Sequence, residues 1–143
     1  MERKETEITR FIEAQIMSHK VVKRELINDK KETHWMWYTF PQVDGLGYTD
    51  ISKYYAIHNK RELCEYVSNQ YLRDNLMELF TILLNSQEKD IEKIFGDIDA
   101  VKFRSCLTLF RHTKKFNKIT TKLLRKYFDG KLDIQTEIIY KEM

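Results

Sequence analysis

Apolar residues in this chain recur at intervals of three and four, and glycine and proline interrupt them at very few places. Leu72, Leu76, Leu79, Phe80 and Leu83 mark the cleanest stripe, the spacing that puts side chains on one face of an α-helix. No stretch sustains an alternation of apolar and polar residues at a period of two, so there is nothing to build a sheet from. Four glycines and one proline in 143 residues leave long runs in which a helix has no reason to stop. The pattern predicts an all-α fold: one compact multi-helix bundle domain over residues 1–143.

The stripes give the helices in outline. Ile8, Phe11, Ile12 and Ala14–Gln15 open one that runs less cleanly through Val22 and Leu26, with a possible break at Ser18–His19, to a stop near Asn28–Asp29. Thr49–Asp50 are expected to cap a short helix carrying Tyr54, Tyr55 and Ile57, and Asn59 to Glu62 have capping-box spacing before Leu63, Tyr66 and Val67. Ser86 is expected to cap the next, with Ile91, Ile94 and Phe95 inward and Gly96 just past its end. Asp97 or Asp99 then starts a helix carrying Val101, Leu107 and Phe110. Phe116 to Tyr127 form another stripe closed by Asp129-Gly130, and a last short helix is expected around Gln135–Tyr140.

Composition excludes several classes. The chain is 42% hydrophobic and 13% aromatic with a net charge of +3, too apolar and too neutral for general disorder. No apolar run reaches the ~18–20 residues of a membrane span, and the charged opening MERKETEITR lacks the apolar segment of a secretory leader. Cys64 and Cys106 are too few and too scattered for a disulfide framework or a zinc site, which fits a cytoplasmic location. No metal or cofactor motif is present. A monomer is expected.

Residues 33–47 do not read as core alone. Both tryptophans, Trp35 and Trp37, fall here beside His34, followed by Phe40, Pro41, Gln42, Asp44, Gly45 and Gly47. Trp35 and Phe40 suit a packing role. Trp35 and Trp37 cannot share a helix face and point the same way only if the segment is extended. His34, Gln42 and Asp44 flank a glycine-bounded loop where backbone can approach a ligand closely. Histidine is the residue type suited to general-base work near neutrality, and His34 is the only one in this block, with Asp44 as a candidate to orient it. A lone histidine is more often hydrogen-bonded within the fold than catalytic.

The run His34-Trp35-Met36-Trp37-Tyr38-Thr39-Phe40-Pro41-Gln42, followed by Gly45-Leu46-Gly47, resembles the signature of a family of small proteins. These carry only a domain-of-unknown-function label and are sometimes called calpastatin-like. Arg10 to Gln15, Ile94-Phe95-Gly96, Asp99, Lys102 to Ser105, Thr108 to Phe110, Gly130, Asp133 and Thr136 extend the resemblance over about residues 9–136. It implies a compact helical bundle, in agreement with the periodicity, and supplies no activity. The chain departs from the pattern at Thr33 and Cys106, where the family usually has serine.

From Lys102 to Phe128 there are nine basic residues and no acidic one. Lys118, Lys122 and Arg125 share one helix face, either a solvated stripe or a surface for nucleic acid or another polyanion. Lys102, Arg104 and Ser105 differ, since they lie in the family-like block. If Asp99 caps their helix, the cations oppose its dipole unless an anion or a carboxylate such as Glu13 meets them.

The expected site therefore joins His34, Trp37 and Gln42 to Lys102, Arg104 and Ser105 as a pocket for an anionic or nucleotide-like small molecule. Polyanion binding by residues 111–126, or a protein-interaction surface including Tyr54 and Tyr55, are the alternatives. No standard hydrolase or kinase motif is present, so whether a reaction is catalysed stays open.

Overall fold

The computed structural model describes residues 3–143, with side chains from Glu7 onward, so the first residues of the charged opening segment lie outside it. Eight helices follow one another among the described residues: α1 Arg3–Ile27, α2 Met36–Thr39, α3 Asp50–Tyr54, α4 Lys60–Ser68, α5 Gln70–Asn85, α6 Ile91–Phe110, α7 Asn117–Phe128 and α8 Ile134–Glu142. The fold class is all-α. One isolated bridge, Val43 with Ile57, is the sole strand-like pairing among these residues. It closes the loop between α2 and α4 through Ile57 N–H to Gln42 O at 2.8 Å and Asp44 N–H to Ile57 O at 3.0 Å.

Helix α1 packs on α4 and α5, α5 on α7, α7 on α6, and α6 on α8. The stripe at Leu72, Leu76, Leu79, Phe80 and Leu83 is buried throughout, as its spacing predicts. At the centre, aromatic rings meet edge to face: Phe40 lies 5.1 Å from Phe103, and Phe116 lies 5.7 Å from Phe80 and 5.6 Å from Phe110. Packing over an aromatic centre of this kind contributes more than helix propensity does.

Several local expectations change. No break occurs at Ser18–His19, because Ser18 donates to Ala14 O and His19 meets Glu78, leaving both polar groups satisfied on the helix. Ser86 does not cap α6. It bonds Asp29, and Asp90 takes the N-cap by accepting from Glu92 N–H. Asp99 caps nothing; its carboxylate holds Lys31 and Lys102. Val101 is exposed while Phe103, Leu107 and Phe110 are buried, since the spacing of four and three from Phe103 fixes a face that excludes a residue two positions earlier. Ile57 is buried but lies past α3, in the bridged loop.

Gly96 does punctuate its helix. Its φ of 81° and ψ of 167° belong to a region that only glycine enters without strain, and the chain turns there between two helical stretches of α6. Asn59 caps α4 as expected, accepting from Glu62 N–H at 2.8 Å. The Glu62 carboxylate reaches back one residue further than a capping box requires, accepting from His58 N–H at 2.9 Å, while it also receives Arg10. That pair is buried and bidentate, at 2.9 and 3.1 Å. Arg10 also donates to Tyr54 O and Ala56 O, so it ties α1 to the end of α3 and the start of α4.

Candidate functional site

The aromatic segment starts from a carboxylate on α1. Glu25 is 4% exposed and accepts from Glu32 N–H, Thr33 N–H, the Thr33 hydroxyl and Trp35 Nε1–H. Burial pushes its carboxyl up, yet these donors reverse the shift and hold it at about 2. A serine hydroxyl at position 33 would make the same bond, which accounts for the Thr33 departure. Anchored there, the chain makes the single helical turn α2. A turn rather than a strand sends the two indoles apart. Trp35 is 2% exposed in the core and Trp37 is half-buried at the surface.

Trp37 is fixed from the other side by Gly47. A Cβ on that glycine would lie 2.6 Å from Ser52 Cβ, closer than side chains approach, and 3.1 Å from Trp37 Cη2, a tight contact. The glycine-bounded loop thus lets backbone press directly on the indole.

His34, Trp37 and Lys102 then line one cavity of about 120 Å³, together with Lys31, Ile51 and Asp99. The Lys102 ammonium sits 4.5 Å over the Trp37 ring and 3.1 Å from Asp99 Oδ1. On the far side of Asp99, Lys31 lies 2.9 Å from Oδ2 and 5.0 Å from the Trp35 ring. Asp99 is therefore held between two ammonium groups, each on the face of an indole. Burial raises the Asp99 carboxyl, but the hydrogen bonds from Lys31 and Lys102 outweigh it and keep the group below its ordinary value. Two lysines against one carboxylate leave the cluster with one positive charge. Lys31 is committed further, to Thr33 O at 2.7 Å. Lys102 retains N–H groups beyond the one given to Asp99.

The matched family model is "Protein of unknown function (DUF1810)", over residues 5–139. The chain belongs to the DUF1810 family. It is similar to a conserved hypothetical protein from Mycobacterium tuberculosis whose crystal structure is known, at 34% identity, with a TM-score of 0.90 over 94% of this chain and 96% of that one. No curated protein matches the chain.

The other residues expected at the site of this DUF1810 chain lie elsewhere. Arg104 lines a different cavity, of about 380 Å³, beside Tyr127 and Phe128. Its Nε is buried without a partner, and among the described residues it makes no pair with Glu13. The reason is helical geometry: residues two apart on α6 point about 200° apart, so Lys102 and Arg104 cannot serve one pocket. Ser105 is buried and donates to Val101 O at 3.3 Å. Gln42 is buried with its Nε2 unpartnered, and it lines none of these cavities. Asp44 is exposed and does not reach His34, whose imidazole has no hydrogen-bond partner among the described residues.

Lys31 and Asp99 are the members that sequence reasoning missed as a pair. Asp99 and Lys102 at three apart on one helix was a readable signal, whereas Lys31 arrives from a loop with no periodicity. Among the described residues no group of three or more His, Cys, Asp or Glu is placed to hold a metal ion, and no helix is long and apolar enough to cross a membrane.

Along the basic stretch, neighbours take up several charges. Arg111 meets Glu137 at 2.8 Å, and Lys126 donates to the carbonyls of Leu83, Leu84 and Ser86 at the end of α5. Lys118, Lys122 and Arg125 are exposed on α7 and have no ion-pair partner among the described residues.

Proposed function

We propose that this chain is a small-molecule-binding domain whose aromatic-loop site takes a compact anionic group, phosphate or carboxylate. The observation that carries this reading is Lys102 poised 4.5 Å over the half-buried Trp37 ring, with His34 on the same cavity. A cation and a flat π surface are thereby offered together. A cavity of about 120 Å³ accommodates one such group, and the ring of a nucleotide-like ligand would lie outside it against Trp37. Lys102 takes the role first expected of Arg104, with Lys31 and Asp99 setting its position. His34 supplies an imidazole N–H donor at the rim.

The test is a fluorescence titration of Trp37 with inorganic phosphate, ADP-ribose and small carboxylates, alongside thermal shift. A saturable change lost in Lys102→Ala, with apo stability kept, supports the reading. No saturable response to any of the three rejects it.

A second reading is supported by the exposure of Lys118, Lys122 and Arg125 on one face of α7. Such a stripe suits non-specific contact with a polyanion, through charge alone.

A further inference from the structure

At the other end of α6 lies a much larger cavity, of about 750 Å³, framed by α4, the start of α5, the turn after α6, and α8. Lys60, Arg73, His112, Lys114 and Lys115 line it, and no carboxylate does. Its volume falls in the range of pockets that enclose small organic ligands. Lys102 and His112 are separated by about 15 Å along the helix axis, so this cavity is distinct from the aromatic-loop site.

The wall is flat and pre-set. The His112 ring stacks on Tyr140 at 3.8 Å between centroids with an interplanar angle of 7°. Glu137 holds that plate from behind: one carboxylate oxygen lies 2.5 Å from His112 Nε2 and the other 2.8 Å from Arg111. The Lys60 ammonium sits 4.7 Å over the Tyr140 ring. Arg73 is planted by bonds to Val67 O and Ser68 O at the end of α4. Leu63 and Val67 supply an apolar floor. Lys60, Lys114 and Lys115 have no ion-pair partner among the described residues. Like charges gathered around an apolar floor repel one another until a polyanion sits among them.

We infer that this cavity binds a small organic phosphate that carries a flat ring, the chemistry of a nucleoside diphosphate. The ring would lie on the apolar floor beside the stacked His112 and Tyr140 rings, and the phosphates among Lys60, Arg73, Lys114 and Lys115. A free inorganic polyphosphate would satisfy the cations alone and leave the apolar half unused. A nucleic acid would use the same cations and extend onto the α7 stripe.

Cys64 makes the inference testable, because it lines this cavity and is exposed, whereas Cys106 is buried. Alkylation by iodoacetamide therefore reports on this cavity alone. With the full chain at constant ionic strength, ADP should slow Cys64 alkylation about tenfold at ten times its Kd. Pyrophosphate should protect at higher concentration and adenosine less still. A Lys114→Gln, Lys115→Gln variant, both surface positions, should lose ADP protection while keeping its melting temperature. The inference is overturned if ADP gives no protection at millimolar concentration, or if sulfate protects as well as ADP. It is also overturned if only a polynucleotide protects and Lys118→Gln, Lys122→Gln, Arg125→Gln removes the effect. Trp37 emission reads the other site, so failure there leaves this outcome untouched.

Discussion

Trp35 Nε1 donates to Glu25 Oε1 at 2.8 Å, so the core indole of the aromatic segment hangs on a carboxylate of α1. Four donors converge on that one carboxylate, which makes the placement of the whole segment sensitive to its charge. The folded value of about 2 lies below the ordinary 4.5. The stabilisation is thus fully present above about pH 4.5 and is lost as pH falls toward about 2. The difference corresponds to about 3 kcal/mol. Glu25→Gln should therefore be less stable than the parent near neutrality, with the gap closing on acidification. Urea midpoints taken across that window check it, and a gap independent of pH would count against the account.

The buried Arg10–Glu62 pair should be costly to break from one side. Arg10→Met leaves Glu62 charged without its bidentate partner, a change worth about 3–5 kcal/mol. Arg10→Met with Glu62→Leu should cost less than the two single changes added. Denaturant unfolding of the four proteins decides it, additivity being the adverse result.

The two tryptophans should differ in emission. Trp35 is 2% exposed, while Trp37 is half-buried at a cavity. In Trp37→Phe the remaining emission should be blue-shifted and insensitive to iodide. Strong iodide quenching in that variant would contradict the separation of the two rings by α2.

Gly96 separates backbone strain from crowding. A Cβ there meets nothing within 4 Å, yet φ is +81°. Gly96→Ala should cost about 1–3 kcal/mol from conformation alone, with an unchanged denaturant slope. A neutral substitution would show that the turn relaxes freely.

The α7 stripe should bind duplex DNA only weakly and without sequence preference. Each phosphate neutralised contributes about 0.9 to the log–log salt slope, so Lys118→Gln, Lys122→Gln and Arg125→Gln together should flatten it. Tight binding that ignores salt is the outcome that speaks against a charge-only surface.

Helix existence was legible because burial of one face writes a period of three and four into the chain, as in the α5 and α7 stripes. Caps were legible where one short polar side chain serves its own backbone, as Thr49 does at α3 and Asn59 does at α4. Ser86 was misplaced because Asp29, far away in sequence, took its hydroxyl. Part of the candidate site's grouping was legible. His34, Trp37 and Lys102 share a cavity, whereas Arg104 does not, and the 200° between Lys102 and Arg104 on a helix was already implied by their spacing.

The sequence by itself determined an all-helical chain, its punctuation at Gly96 and Gly130, and the clustering of aromatic and basic residues that directs attention to two segments. Only the tertiary structure decided which charges are spent and which remain. Asp99 receives Lys31, Glu62 receives Arg10 and Glu137 receives Arg111 and His112, in pairings that join separate elements. The physical reason is that periodicity records which face of a helix is buried, but not which distant element lies against it. Pairing of charges depends on distances of a few ångströms between segments that only packing brings together.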